Sequence, residues 1–301
     1  MVSVVIPTHN RCDTLERAIL SVLAQSYHDF EIIVVSDGST DNTKNLVDEL
    51  STKDNRITFV EYFPAKGGNH ARNVGIHSSK GEFVAFLDDD DEWYPDKLAS
   101  QLAVMNSSDK IGLVYTGVCS IFINEGIKYN ITKKKSGDLS KDILISNYIG
   151  TTSTVMAKKK LLDSVGGFDE NLKAAQDYDL WIRISQICEV GVVPEIKINY
   201  YNYSGNNQIS SVTQKYIEAD AYINRKYKHL FEGLSEKEKK ERKINTYHAF
   251  TNRAMRNGDR KQARKYARMA LKERVTARNV AYLICSFVPY KTVLYFRRYL
   301  N

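Results

Sequence analysis

The sequence is short of the features that mark several protein classes. It has only five prolines in 301 residues, and its sixteen glycines follow no repeat, which excludes collagen-like and linker-dominated chains. No uninterrupted apolar run approaches the roughly 18–20 residues that a membrane span requires. The four cysteines, Cys12, Cys119, Cys188 and Cys285, are far apart and lack metal-ligand spacing. A disulfide framework is therefore excluded, and a reducing compartment is the default. The apolar run Val2–Ile6 is too short for a secretory leader, no basic segment precedes it, and Pro7 ends it. The expected location is the cytoplasm. No Gly-x-Gly-x-x-Gly follows the first apolar run, and no Gly-x-x-x-x-Gly-Lys-Ser/Thr occurs, which disfavours dinucleotide and phosphate-loop folds. The six histidines show neither metal spacing nor a nucleophile arrangement.

What is present is a globular composition, 43% hydrophobic and 26% charged, with an uneven charge distribution. Residues 1–213 carry a net charge of −7, whereas residues 214–301 carry +14. A basic tail on an acidic body implies two regions with different partners. A surface that meets phosphate, in nucleic acid or anionic lipid, is one reading; a solvated helical face is the other.

The first 105 residues alternate strand and helix four times. Val2–Ile6, Glu31–Val35, Arg56–Val60 and Phe83–Leu87 are short β-branched or aromatic runs that predict buried strands. Between them, Leu15, Ala18, Ile19 and Val22 follow a 3.6-residue period, with Asp13 as a candidate cap, and Asp41 can cap the next helix. That order predicts an α/β fold with an open, mostly parallel, Rossmann-like sheet. Beyond it, Gly112–Ile123 and Ser153–Ala157 read as strands, Asp177–Ile187 as a helix, and Val190–Val193 and Ile196–Tyr203 as two strands. Residues 214–301 read as a C-terminal helical region broken at Gly258, which divides the chain into 1–213 and 214–301.

In open parallel sheets, ligands bind beyond the carboxyl ends of the strands. Three polar clusters fall there: Thr8/Asn10/Arg11, Asp37/Ser39 and Asp88–Asp91. Four consecutive carboxylates repel one another, and burial worsens the cost. A divalent cation would relieve it; a solvated turn or a helix cap is the structural alternative. In an extended segment Asp88 and Asp90 point one way, and Asp89 and Asp91 the other. Oxygen ligands without histidine or cysteine favour Mg²⁺ or Mn²⁺, held jointly with a substrate diphosphate. Asp37 can accept from a nucleobase or ribose, or serve its turn. Asp177 is either a helix cap or a reactive carboxylate.

Together the segments Val2–Arg11, Glu31–Asp41, Ala71–Gly75, Gly81–Asp91, Val165–Asp169 and Gln176–Arg183 resemble the inverting family 2 glycosyltransferases of the glycosyltransferase A-type fold. The resemblance covers residues 1–212. It implies a nucleotide pocket lined by Pro7, Thr8, Asn10, Arg11, Asp37 and Arg72, with Asp37 on the base. Asp88 and Asp90 match the ends of the family's Asp-x-Asp motif, with Asp90 on the metal, Asp88 facing the ribose or the metal shell, and Asp89 beside the nucleotide. Asp177 matches the general base, preceded by Gln176 where the family often has Glu. Tyr203–Ser210 resembles a late loop that closes over the diphosphate.

The implied activity is metal-dependent transfer of a sugar from a nucleotide-sugar, most often a UDP-sugar. The acceptor would be a saccharide or lipid-linked saccharide in cell-surface polysaccharide or capsule synthesis. Val280, Leu283, Ile284, Phe287, Phe296 and Leu300, with Arg297 and Arg298, suit an interfacial helix on an anionic membrane surface, at the inner face of the cell membrane; docking on the catalytic region is the alternative. A nucleic-acid-binding protein is suggested only by the basic tail, without a recognised motif, so no nucleic-acid partner is expected. A catalytically silent scaffold of the same fold is the third class.

Overall fold

The computed structural model describes residues 1–203 and 212–300. The segment Ser204–Ser210 of the late loop lies outside them. Strands and helices alternate from the start: β1 (Val2–Thr8), α1 (Cys12–Leu23), β2 (Phe30–Asp37), α2 (Thr43–Lys53), β3 (Ile57–Tyr62), α3 (Gly68–Ser78) and β4 (Phe83–Phe86). A two-residue strand β5 (Glu92–Trp93) and α4 (Lys97–Met105) complete this part. Next come β6 (Ile111–Phe122), β7 (Ile127–Ile131), α5 (Asp142–Ile145), a 3-10 turn at Thr152–Thr154, β8 (Met156–Lys158), α6 (Lys159–Ser164), α7 (Gln176–Ser185) and β9 (Glu189–Asn202). The rest is helical: α8 (Thr213–Lys226), α9 (Lys228–Glu232), α10 (Glu236–Arg256), α11 (Arg260–Glu273), α12 (Ala277–Cys285) and α13 (Tyr290–Leu300).

All nine strands join one open sheet in the order β3-β2-β1-β4-β8-β6-β9-β5, with β7 paired to β6. The four strands of the N-terminal half are mutually parallel, as the alternating pattern predicts. Beyond β4 the sheet is mixed, because β8 runs antiparallel to both β4 and β6. Adjacent residues of β1 face opposite layers. Val4 and Ile6 pack with Leu15, Ile19 and Val47 on one side, whereas Val5 packs with Ile76, Phe86 and Trp181 on the other. Burial on both faces is why β1 is apolar throughout rather than alternating.

Three local expectations differ from the fold. The two late strands are one, β9, whose register against β6 jumps from Thr116↔Val193 to Gly117↔Ile196. Pro194 and Glu195 are the extra residues of a bulge, and a Cβ on Gly117 would lie 2.7 Å from the Pro194 carbonyl oxygen. Asp13 sits inside the first turn of α1 rather than at its cap. Asp41 serves instead, accepting from the Cys12 amide at 3.1 Å and from the Thr43 amide at 3.1 Å. One carboxylate thus meets the amino ends of two helices, where their exposed N–H groups favour negative charge. Finally, Ser153 belongs to the 3-10 turn, and β8 starts only at Met156.

The C-terminal helices are not a free tail. Ile223, Tyr227 and Leu234 enter the same cluster as Trp181. The α10–α11 hairpin turns at Gly258, whose φ of 75° suits glycine. Leu294 of α13 packs on Phe122 and Ile127 of the β6–β7 hairpin.

Candidate active site

The strand order 3-2-1-4 reverses direction at β1, so the carboxyl ends of β1 and β4 border the natural crevice of the sheet. A cleft of about 1010 Å³ opens there. The candidate nucleotide, metal and catalytic residues line it, whereas Ser39 and Asp91 of the polar clusters do not: Pro7, Thr8, Asn10 and Arg11 follow β1, Asp37 ends β2, and Arg72 is on α3. Asp88, Asp89 and Asp90 follow β4, and Asp177 begins α7.

The acidic run is a tight turn, not an extended segment, closed by the Asp91 amide bonding to the Asp88 carbonyl at 3.0 Å. The expected alternation fails for that reason: Asp88, Asp89 and Asp90 all line the cleft. Asp91 is fully buried and turns inward, accepting from Ser153 Oγ at 2.6 Å and from the Tyr201 amide at 3.2 Å. Burial, with the neighbouring charges of Asp90 and Asp88, pushes its carboxyl well above the usual range.

Arginines compensate the rest. Arg11 Nη1 lies 3.0 Å from both Asp89 and Asp90. Burial raises the Asp89 carboxyl to about 6, and the Arg11 charge restrains it. Arg17 donates to the Asp90 carbonyl at 2.7 Å. Arg72 Nη2 donates to Asp88 at 2.6 Å, and Thr152 Oγ1 reaches both oxygens of Asp88 at 3.2 and 3.1 Å. Among the described residues, the buried Nε and Nη1 of Arg72 have no hydrogen-bond partner.

Asp88 and Asp90 offer only oxygen donors, and among the described residues no three His, Cys, Asp or Glu gather as a complete cation site. A pair of carboxylates beside unpartnered guanidinium nitrogens fits a hard divalent cation completed by phosphate oxygens and water. At the β2 end, Asp37 accepts from the amides of Lys66 at 2.6 Å and Gly67 at 2.8 Å. Each of its oxygens retains a lone pair for a ligand. Gly38 is required beside it: its φ is +66°, and a Cβ would lie 2.6 Å from the Ala65 nitrogen. Asn10 bridges the β1 and β2 loops, accepting from the Thr40 amide at 2.7 Å.

Asp177 stands one residue into α7, behind Ala175, a non-glycine residue at φ 53°. Such backbone strain persists only where surrounding structure enforces it. Asp177 does not cap the helix; among the described residues it accepts from the Tyr178 amide alone, at 2.8 Å. Burial raises its carboxyl above the usual range, while that amide and the charges of Arg253 and Arg72 draw it back. A buried carboxylate that faces a cleft, with its pKa raised, has the chemistry of a general base.

Two groups of residues at the cleft are missed by the sequence reading. Thr152 and Ser153 lock the acidic turn through a 3-10 segment that hydrophobic periodicity does not mark. Ala249, Asn252, Arg253 and Arg256 line the cleft from α10. Their spacing of i, i+3, i+4 and i+7 is one helical face, and that stripe was the legible signal within the basic region.

The family model of glycosyl transferase family 2 matches residues 3–163. An uncharacterized glycosyltransferase of Rickettsia typhi is 35% identical over 207 residues, 66% of this chain and 63% of that protein. A Rickettsia felis counterpart is 31% identical across 70% of this chain but only 36% of its own length. The chain therefore spans less than two thirds of these relatives. TuaG of Bacillus subtilis, named provisionally for teichuronic acid biosynthesis, is 32% identical over 61% of this chain and 71% of its own.

Among solved structures, the mannosyltransferase PcManGT of Pyrobaculum calidifontis, in complex with GDP-Man and Mn²⁺, gives a TM-score of 0.62 at 18% identity, covering 99% of this chain and 84% of that one. S. aureus TarS 1-349 in complex with UDP-GlcNAc gives 0.59 at 18% identity, covering 100% and 92%. These two similarities establish the shared fold. With a family match over more than half its length and a cleft at the predicted strand ends, this chain belongs to glycosyl transferase family 2.

Proposed function

We propose that the cleft transfers a sugar from a nucleotide-sugar to an acceptor hydroxyl with inversion at the anomeric carbon. The observation that carries this reading is the sharing of one cleft by the Asp88–Asp90 turn, the unpartnered nitrogens of Arg72 and the raised carboxylate of Asp177. Asp37 and the Pro7–Arg11 segment take the nucleoside, and Arg72 takes the diphosphate. Asp88 and Asp90 would hold Mg²⁺ or Mn²⁺, which when bound would supply positive charge against the departing diphosphate. Asp177 accepts the proton of the acceptor hydroxyl as its oxygen bonds to the anomeric carbon and the bond to the diphosphate breaks. A single displacement needs no covalent intermediate, so an α-linked donor yields a β-glycoside.

UDP is the first candidate nucleotide, from the resemblance and from the ligand of TarS; the GDP-Man of PcManGT makes guanosine the comparison. TuaG supports a saccharide acceptor in cell-surface polymer synthesis. No helix among the described residues is long and apolar enough to cross a membrane. Ile284, Phe287 and Phe296 are nonetheless exposed on α12, the turn after it and α13, and the Arg264 guanidinium lies over the Phe287 ring. Apolar rings among cations fit peripheral contact with an anionic lipid surface, where a lipid-linked acceptor would be met. Sedimentation with anionic and neutral liposomes tests that contact; equal recovery refutes it.

Release of free nucleotide from a panel of UDP- and GDP-sugars, with and without Mn²⁺, tests the main reading. Turnover of one donor that requires the metal supports it. Release from none, with folded protein, counts against it.

A further inference from the structure

The C-terminal half of the cleft is lined by the cations Lys133, Arg253 and Arg256. Arg253, near the end of α10, holds its guanidinium carbon 3.5 Å from the centre of the Tyr216 ring. Lys133, in the segment after β7, donates to the Tyr148 carbonyl at 3.0 Å and is half-buried. Both line the cleft, and among the described residues neither forms a salt bridge with a carboxylate. Burial draws the Lys133 ammonium below its usual range, as expected of a cation taken from water without a counter-charge. A desolvated cation facing a cleft is costly alone and strongly favourable beside an anion.

The position of Arg253 decides which ligand that anion belongs to. Arg253 lines the cleft with Asp177 and favours its ionised form, and Lys133 Nζ lies beside Gly150, whose carbonyl accepts at 3.0 Å from Trp181, one turn beyond Asp177 on α7. In a single inverting displacement the base and the departing diphosphate occupy opposite faces of the anomeric carbon. A cation on the side of the base therefore meets the acceptor. The donor diphosphate has its own provision in Arg72 and the Asp88/Asp90 pair. We propose that the acceptor is an anionic saccharide, bearing a carboxylate or a phosphate that Arg253 and Lys133 bind beside the attacking hydroxyl. This inference rests on the sugar-transfer reading of the cleft and adds the chemical class of its acceptor.

Calorimetric titration tests it on the full chain, loaded with Mn²⁺ and whichever of UDP and GDP binds. The probes are methyl β-glucuronide, methyl β-glucoside 6-phosphate and neutral methyl β-glucoside. At least one anionic sugar is expected to bind about tenfold more tightly than the neutral one, as charge-assisted hydrogen bonds provide. Which of the two does so separates a carboxylate acceptor from a phosphate acceptor. Arg253→Gln and Lys133→Gln should each remove most of the preference, with nucleotide affinity held within about twofold.

Equal binding of neutral and anionic sugars, or binding of none, by a chain that still binds nucleotide overturns this inference alone. Loss of nucleotide affinity in Arg253→Gln as large as the loss for the sugar assigns the cation to the diphosphate and also overturns it. A wild-type chain that binds neither nucleotide removes the sugar-transfer reading and this inference with it.

Discussion

Arg72 spends one guanidinium nitrogen on Asp88, at 2.6 Å, while its buried Nε and Nη1 have no hydrogen-bond partner among the described residues. A buried donor left unsatisfied costs about 1–3 kcal/mol. Phosphate oxygens would satisfy both nitrogens at once. Arg72→Lys keeps the charge but loses the planar fork. It should weaken nucleotide binding by about tenfold or more, measured by titration with UDP or GDP, while the melting temperature stays near wild type. Unchanged affinity would remove Arg72 from the diphosphate.

The roles of Asp177 and Asp90 separate in kinetics. Asp177→Asn keeps the shape and removes the proton acceptor, so transfer should fall by about 10²–10⁴-fold while nucleotide affinity persists. Equal loss of both would make Asp177 structural. Asp90→Ala should instead abolish the dependence of nucleotide affinity on Mn²⁺ or Mg²⁺, read by comparing titrations with and without a chelator.

The pH dependence follows from the Asp177 environment. Its carboxyl is raised above the ordinary value, and only the ionised form accepts a proton. The turnover rate should therefore rise with pH through that raised pKa and level off above it. Arg253 favours the ionised form, so Arg253→Gln should move the acid limb to higher pH. A limb that stays in place would show that Arg253 does not act on Asp177.

Much of this geometry was legible in the sequence, for a physical reason. Strands buried on both faces, such as Val2–Thr8, must be apolar throughout, and the helices between them must carry one apolar stripe. The strand ends then fall where Thr8, Asp37 and Asp88 stand. The direction of each carboxylate was not legible, because a turn at Asp88–Asp91 breaks the alternation that an extended segment imposes. Nor was the clamp formed by Thr152 and Ser153, which depends on contacts more than sixty residues apart in the chain. The basic charge of residues 214–301 pointed outward to lipid or nucleic acid; in the fold, Arg253 and Arg256 face the cleft, because α10 packs its 249–256 face there.

A buried ionic network ties α8 to α7 behind the cleft. Asp179 is fully buried and accepts from Arg183 at 2.6 Å, Lys226 at 2.8 Å and Tyr227 at 2.7 Å. Asp179→Ala takes its carboxylate from half-buried Arg183, while Lys226 keeps Asp169 at 2.6 Å, and should cost about 3–5 kcal/mol in denaturant unfolding. A loss under about 1 kcal/mol would show that the network relaxes into water.

If Asp88 and Asp90 hold a cation that in turn holds a nucleoside diphosphate, nucleotide binding depends on the metal. Thermal unfolding of the wild-type chain with UDP or GDP, in Mn²⁺ and then in chelator, tests it most directly. Ligand binding raises the melting temperature by mass action. An upward shift by one of the nucleotides that disappears in chelator is expected. The same shift with and without metal, or none with either nucleotide, would contradict it.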